Sequence, residues 1–340
     1  MKFADYFLNW FENYKQNSVR RVTQNKYMII QKQLSESKVG NTEMKKITRK
    51  LAQEYIDDYG GTHRKKSAYT NRAHLKACFN DAIIDGDAKI NPFAAVEVKY
   101  LDQQYDVQQL LELHNKKKTL TMVEYNKLKI FLEIWLKNAF VRSPFYTWGK
   151  YVTHEGRATA KQIQLLIIYV ALKTGARYSE ILGLTWEDVL FDTEELGFDK
   201  TWDYKNYTKG KFERTKNISS IRKVQVDEDT LAILRFYQEW LNKYEIETEL
   251  NTLFIEKDKR FFNSTINKTL EVACNQCQIE PITIHKLRHT HASILLTQGI
   301  DEHVVAKRLG HSDTTMLHRV YGHLVEETER EDNERIMQLL

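Results

Sequence analysis

Six side chains in the second half of this 340-residue chain are of types that suit a single reaction: Arg177, Lys216, His285, Arg288, His311 and Tyr321. Guanidiniums offer permanent charge and a planar fork of donors. Imidazoles exchange protons near neutral pH, and a phenol becomes a nucleophile once its proton is taken. Arg177 follows the turn Thr174-Gly175-Ala176 at a helix start, and Lys216 opens KNISSIR at an expected strand-to-strand turn. His285 and Arg288 form H-x-x-R, a spacing that puts both on one helix face. His311 and Tyr321 lie in LGHSDTTMLHRVYGH, residues 309–323. Each residue alone has a plainer reading: a surface ion pair for a lone arginine, a packed aromatic for a lone tyrosine. Three neighbouring histidines, His285, His289 and His291, raise the question of a metal. No H-E-x-x-H and no acidic third ligand accompany them, so neither metal nor cofactor is expected.

Positioning these residues requires a framework, and composition bounds it. The chain is 42% hydrophobic and 29% charged, with only 13 Gly and 3 Pro. Few chain breakers and long helical periodicities predict a mainly α protein with room for two domains. The longest apolar run, around Leu165–Leu172, is too short to span a membrane and suits a buried core helix. The first residues carry acids and lack a cleavage site for a signal peptide. Three cysteines make no disulfide framework, which fits a reducing cytoplasm. Net charge is +5, with 18 Lys and Arg against 14 Asp and Glu in residues 1–112. That excess permits nucleic-acid binding without requiring it.

Four helices are expected before residue 112: Phe3–Tyr14, Thr23–Glu36, Arg49–Tyr59 and Ser67–Asp85. Phe3, Phe7, Trp10, Phe11 and Tyr14 fall on one face of the first, as a core stripe. Basic residues gather at two helix starts, Arg20 and Arg21 at one, Lys65, Lys66 and Arg72 at the other, where donors suit phosphate contacts. The polar connector 113–120 marks a domain boundary, after which Thr121 caps a helix to about Lys137. Residues 138–160 read as irregular. Helices follow at Lys161–Lys173 and through Leu182, then a small antiparallel sheet of about three strands between Val189 and Val226. Further helices are expected at Asp229–Tyr244, Asn263–Cys277, His285–Gln298 and His303–Leu309.

Taken in order, TGARYSEILGLTWEDV, TKNISSIRKV, ITIHKLRHTHASILL and LGHSDTTMLHRVYGH resemble the tyrosine recombinase, or phage integrase, family. The resemblance spans 121–325 apart from 138–160, and residues 3–93 look like that family's helical core-binding domain. It implies a two-domain DNA clamp. Residues 1–112 would form the core-binding domain, 121–325 the α+β catalytic domain, and 326–340 an acidic tail exchanged between protomers.

The same resemblance implies the roles. Arg177 and Arg288 would hold the non-bridging oxygens of a phosphodiester, with His311 as a further donor. Tyr321 would attack phosphorus, His285 would take its proton, Lys216 would protonate the leaving 5′-oxygen, and Glu180 would brace Arg177. The implied partners are duplex DNA with specific core sites, a homotetramer on that DNA, and accessory DNA-bending or excision factors, in the nucleoid of a bacterial host. Because the core-binding pattern begins at Phe3, no arm-binding domain is expected. A catalytically idle DNA-binding relative, an Xer-like resolvase and a topoisomerase IB-like enzyme are the alternatives.

Overall fold

The computed structural model describes residues 1–19, 21–105, 119–142, 160–205, 210–215, 217–257, 262–315 and 317–318. The chain divides into two compact units, Met1–Lys116 and Lys117–Leu340.

The first unit is helical: α1 (Phe3–Trp10), α2 (Arg21–Ser35), α3 (Arg49–Thr62) and α4 (Lys65–Ile84). Phe3, Phe7, Trp10 and Phe11 pack against Tyr27, Phe79 and Phe93 in its core, and the Trp10 indole donates to Asp81 at 2.8 Å. Tyr14 departs from the expected stripe. The helix loosens into a π turn over Phe11–Lys15, which rotates Tyr14 outward, where its hydroxyl donates to Asp85 at 2.9 Å.

In the second unit, Thr121 and Glu124 form a capping box that starts α5 (Met122–Lys137). Asn138–Arg142, expected to be irregular, prolong that helix as a π turn. The central element is α6 (Ala160–Thr174). Its residues Leu165 to Leu172 are buried on every side because α5, α9 (Asn263–Gln276) and α10 (Ile284–Thr297) all pack around it. A short helix α7 (Tyr178–Leu182) leads into the strands β1 (Val189–Leu190), β2 (Glu195–Phe198), β3 (Lys200–Trp202), β4 (Phe212–Arg214) and β5 (Arg222–Gln225).

Among the described residues these form two sheets rather than one. An antiparallel β1-β2-β5 sheet pairs Phe198 with Arg222, and a separate β3-β4 ribbon pairs Trp202 with Phe212. The short alternating segments carried no signal of how they would be divided between sheets. Helices α8 (Glu228–Lys243) and α11 (Glu302–Leu309) complete the described unit. Among the described residues no helix is long and apolar enough to cross a membrane.

Candidate active site

Gly175 ends α6 in the left-handed conformation, φ +65°, which a side chain would strain. A Cβ there would also lie 2.8 Å from Leu309 Cδ2 and 2.9 Å from His291 Cδ2, so the turn fits only glycine. Reversing the chain at this point sets Arg177 at the N-cap of α7. Its backbone N–H donates to Glu180 Oε2 at 2.9 Å and its guanidinium Nη1 donates to Glu180 Oε1 at 2.7 Å. Glu180 is only 2% exposed and accepts a third bond on Oε2, from Arg222 Nη2 at 3.0 Å. Burial alone would raise the Glu180 carboxyl. The charges of Arg222 and Arg177 outweigh it and hold the group below its ordinary range, ionised.

Arg288, on α10, is buried and oriented from two sides. Nη1 donates to Gly175 O at 2.9 Å and Nη2 to Leu309 O at 2.7 Å, so the Gly175 turn and the end of α11 together aim its fork. His291, one turn further along α10, donates Nδ1–H to Leu172 O at 3.1 Å and accepts Arg308 Nε on Nε2 at 3.0 Å. An arginine is never an acceptor, which fixes the neutral tautomer of His291. Burial, reinforced by Arg308, takes its pKa down to about 3. Both ring nitrogens are therefore committed, and His291 is structural.

After α11, Gly310 turns the chain with φ +72° and delivers His311. That imidazole is half-buried, and its Nδ1 has no hydrogen-bond partner among the described residues. Burial and then the charges of Arg288, Arg177 and Arg222 push its pKa down to about 4. His285, more exposed, is lowered by partial desolvation and by Arg288 and Arg177. Two neutral imidazoles therefore face the same pair of guanidiniums.

Of the side chains singled out in the sequence, Arg177, Glu180, His285, Arg288 and His311 are brought together. Tyr321, Lys216 and the tail 326–340 lie outside the described residues. In the first unit, Arg21, Lys65 and Lys66 are exposed, while Arg20 lies outside the described residues. Arg72 has another employment: its guanidinium donates to Phe93 O at 3.2 Å and Ala94 O at 2.5 Å, tying α4 to the turn after Pro92.

Arg222 was missed by sequence reasoning although its segment had been singled out. The signal was there: strand alternation puts Arg222 on the face of Val224, and a charge on an inward face needs a buried partner.

Residues 152–328, more than half of the chain, match the phage integrase family. The chain belongs to the phage integrase family. The ICEBs1 integrase of Bacillus subtilis (strain 168) is 29% identical over 178 residues, covering 50% of this family member and 48% of that protein. The integrase of Staphylococcus phage L54a is 23% identical over 324 residues, 91% of this chain and 84% of that one. The chain thus spans about half the length of the first relative and most of the second.

The fold is that of solved integrases. A structure of the Tn1549 transposon integrase in complex with transposon right end DNA superposes with a TM-score of 0.71 at 19% identity, over 99% of this chain and 100% of that one. A lambda integrase dimer bound to a COC′ core site gives 0.56 at 19% identity, over 93% and 97%.

Proposed function

We propose that this integrase-family protein is a site-specific DNA recombinase that cuts and rejoins one strand at a time, integrating or excising a phage or mobile element. The observation that carries the proposal is the convergence of Arg177 and Arg288, each held by buried acceptors, with two neutral imidazoles on one site.

A phosphodiester in transfer gathers negative charge on its non-bridging oxygens. Two pre-aimed guanidiniums stabilise that charge without reorganisation. His311, neutral at working pH, donates a further N–H. Tyr321 attacks phosphorus as its proton passes to His285, which is neutral and therefore able to accept it. The P–O5′ bond breaks, Lys216 protonates the departing 5′-oxygen, and a 3′-phosphotyrosyl bond is left. Attack by the 5′-hydroxyl of a second strand reverses each step. The bond energy is conserved throughout.

Under this reading residues 1–112 and 121–325, joined by 113–120, grip duplex core sites, with Arg21, Lys65 and Lys66 on phosphates. Four copies assemble on paired sites, tail 326–340 docks on a neighbouring protomer, and accessory DNA-bending or excision factors set direction. The DNA-bound Tn1549 and lambda relatives support a DNA partner. The test is a nicked suicide duplex carrying the cognate core site, resolved on a denaturing gel. Wild type should form a covalent adduct and Tyr321→Phe none. Absence of a wild-type adduct would make the chain a DNA-binding relative without chemistry, and efficient relaxation of unrelated supercoiled plasmid would make it topoisomerase-like.

A further inference from the structure

Arg222 has no role in the reaction above, yet its side chain bonds to several separate segments of the described catalytic unit. The guanidinium is almost wholly buried. Nη2 donates to Glu180 at 3.0 Å, Nε to Arg308 O at 2.7 Å and Nη1 to Ser220 O at 3.0 Å. Its face lies 4.8 Å from the Phe198 ring, the residue opposite it across the β2–β5 pair. Gly310 passes so close that a Cβ there would sit 3.0 Å from Arg222 Nη1. One planar fork therefore joins the carboxylate that holds Arg177, the end of α11, and the turn that delivers His311.

Lysine could not replace these bonds, because a point ammonium cannot span acceptors set in three directions in one plane. Nor is the arrangement explained by stability. Taking an arginine out of water costs about as much as its ion pair returns, and an apolar side chain would fill the same space.

We propose that Arg222 is a positioning residue that sets Arg177 and His311 in register as donors to the same phosphate. It works through Glu180 on one side and through the Arg308–Gly310 turn on the other, and never touches the DNA. The assignment rests on the recombinase reading, which the wild-type adduct tests separately.

The experiment is single-turnover cleavage of the suicide duplex at saturating DNA by full-length Arg222→Lys, alongside its affinity for the intact site and its thermal melting. Misplacing donors by a fraction of an ångström predicts a cleavage rate lower by about 10- to 100-fold with site affinity within about twofold of wild type. A substrate with a 5′-bridging phosphorothiolate, whose leaving group needs no protonation, should not restore the rate. It should restore it for Lys216→Ala.

Arg222→Met serves as a second variant. Glu180 keeps Arg177 as its partner there, so no carboxylate is left buried alone, and the thioether packs on Phe198. It should fold and show the same pattern. Wild-type rates in either folded variant would overturn the assignment. Full rescue by the phosphorothiolate would overturn it too, by moving Arg222's role to the Lys216 loop. Failure of both variants to fold would make Arg222 a structural residue only.

Discussion

At the scale of single residues, the site is a competition between burial and charge that each group resolves differently. Glu180 stays ionised because two guanidiniums outweigh its desolvation. His291 and His311 surrender their protons because burial and nearby guanidiniums outweigh what opposes them, the Leu172 carbonyl at His291 and the Asp313 carboxylate at His311. The two histidines make stability pH-dependent with a definite sign. Their folded pKa values, about 3 and about 4, lie below the ordinary 6.5, so below pH 6.5 the unfolded chain binds protons that the folded one refuses. The stability tied to their neutral forms is complete above that pH and is lost as pH falls from 6.5 through about 4 for His311 and about 3 for His291. Denaturant midpoints measured across this window should decline, and His291→Gln should flatten the decline. An unchanged slope would mean that His291 titrates normally in the fold. In catalysis, Arg177→Lys should lower the suicide-cleavage rate by about 10²- to 10³-fold, the effect of losing one oriented donor, while leaving the protein folded.

The elements matter through their ends. Asp301 caps α11 by accepting from the N–H groups of His303 and Val304, and Gly310 closes the same helix in the left-handed conformation. Asp301→Ala should cost about 1 kcal/mol in thermal or chemical unfolding with little change in cleavage at saturating DNA. Gly310→Ala should cost more, about 1–3 kcal/mol for the strained φ, and should also slow cleavage. Its added carbon would meet Ser219 O at 3.1 Å as well as Arg222. If Gly310→Ala cleaves at the wild-type rate, the turn does not govern where His311 stands. Leu317, fully buried with Ala292, Leu296, Val305 and Leu309, anchors the chain just before the segment that carries Tyr321.

For the whole molecule, the recombinase reading predicts that charge rather than packing controls encounter with DNA. The basic excess of residues 1–112 and the exposure of Arg21, Lys65 and Lys66 predict binding that weakens steeply with salt. Lys65→Ala and Lys66→Ala should each reduce the slope of log affinity against log salt by about 1 and weaken all sequences alike, without altering cleavage at saturation. Arg72→Ala should behave differently. Its bonds to Phe93 O and Ala94 O make it a stability position, so melting should respond more than the salt slope.

Much of this molecule was legible in its sequence, because helix periodicity and capping are local. Thr121 with Glu124, the apolar run of α6, the Gly175 turn and the sequential order of the arginine and histidine motifs are written within a few residues of where they act. What sequence could not supply was any relation between segments far apart in the chain. That Arg288 is aimed by Gly175 and Leu309, that His291 is spent on Arg308, that Arg72 is tied to the Pro92 turn, and that Arg222 links Glu180 to the α11 turn are all facts of packing. Desolvation and field strength depend on which charges end up within a few ångströms of one another. Sequence therefore determined which side chains were available for chemistry, and only the tertiary structure decided which of them share a site and in what state of charge.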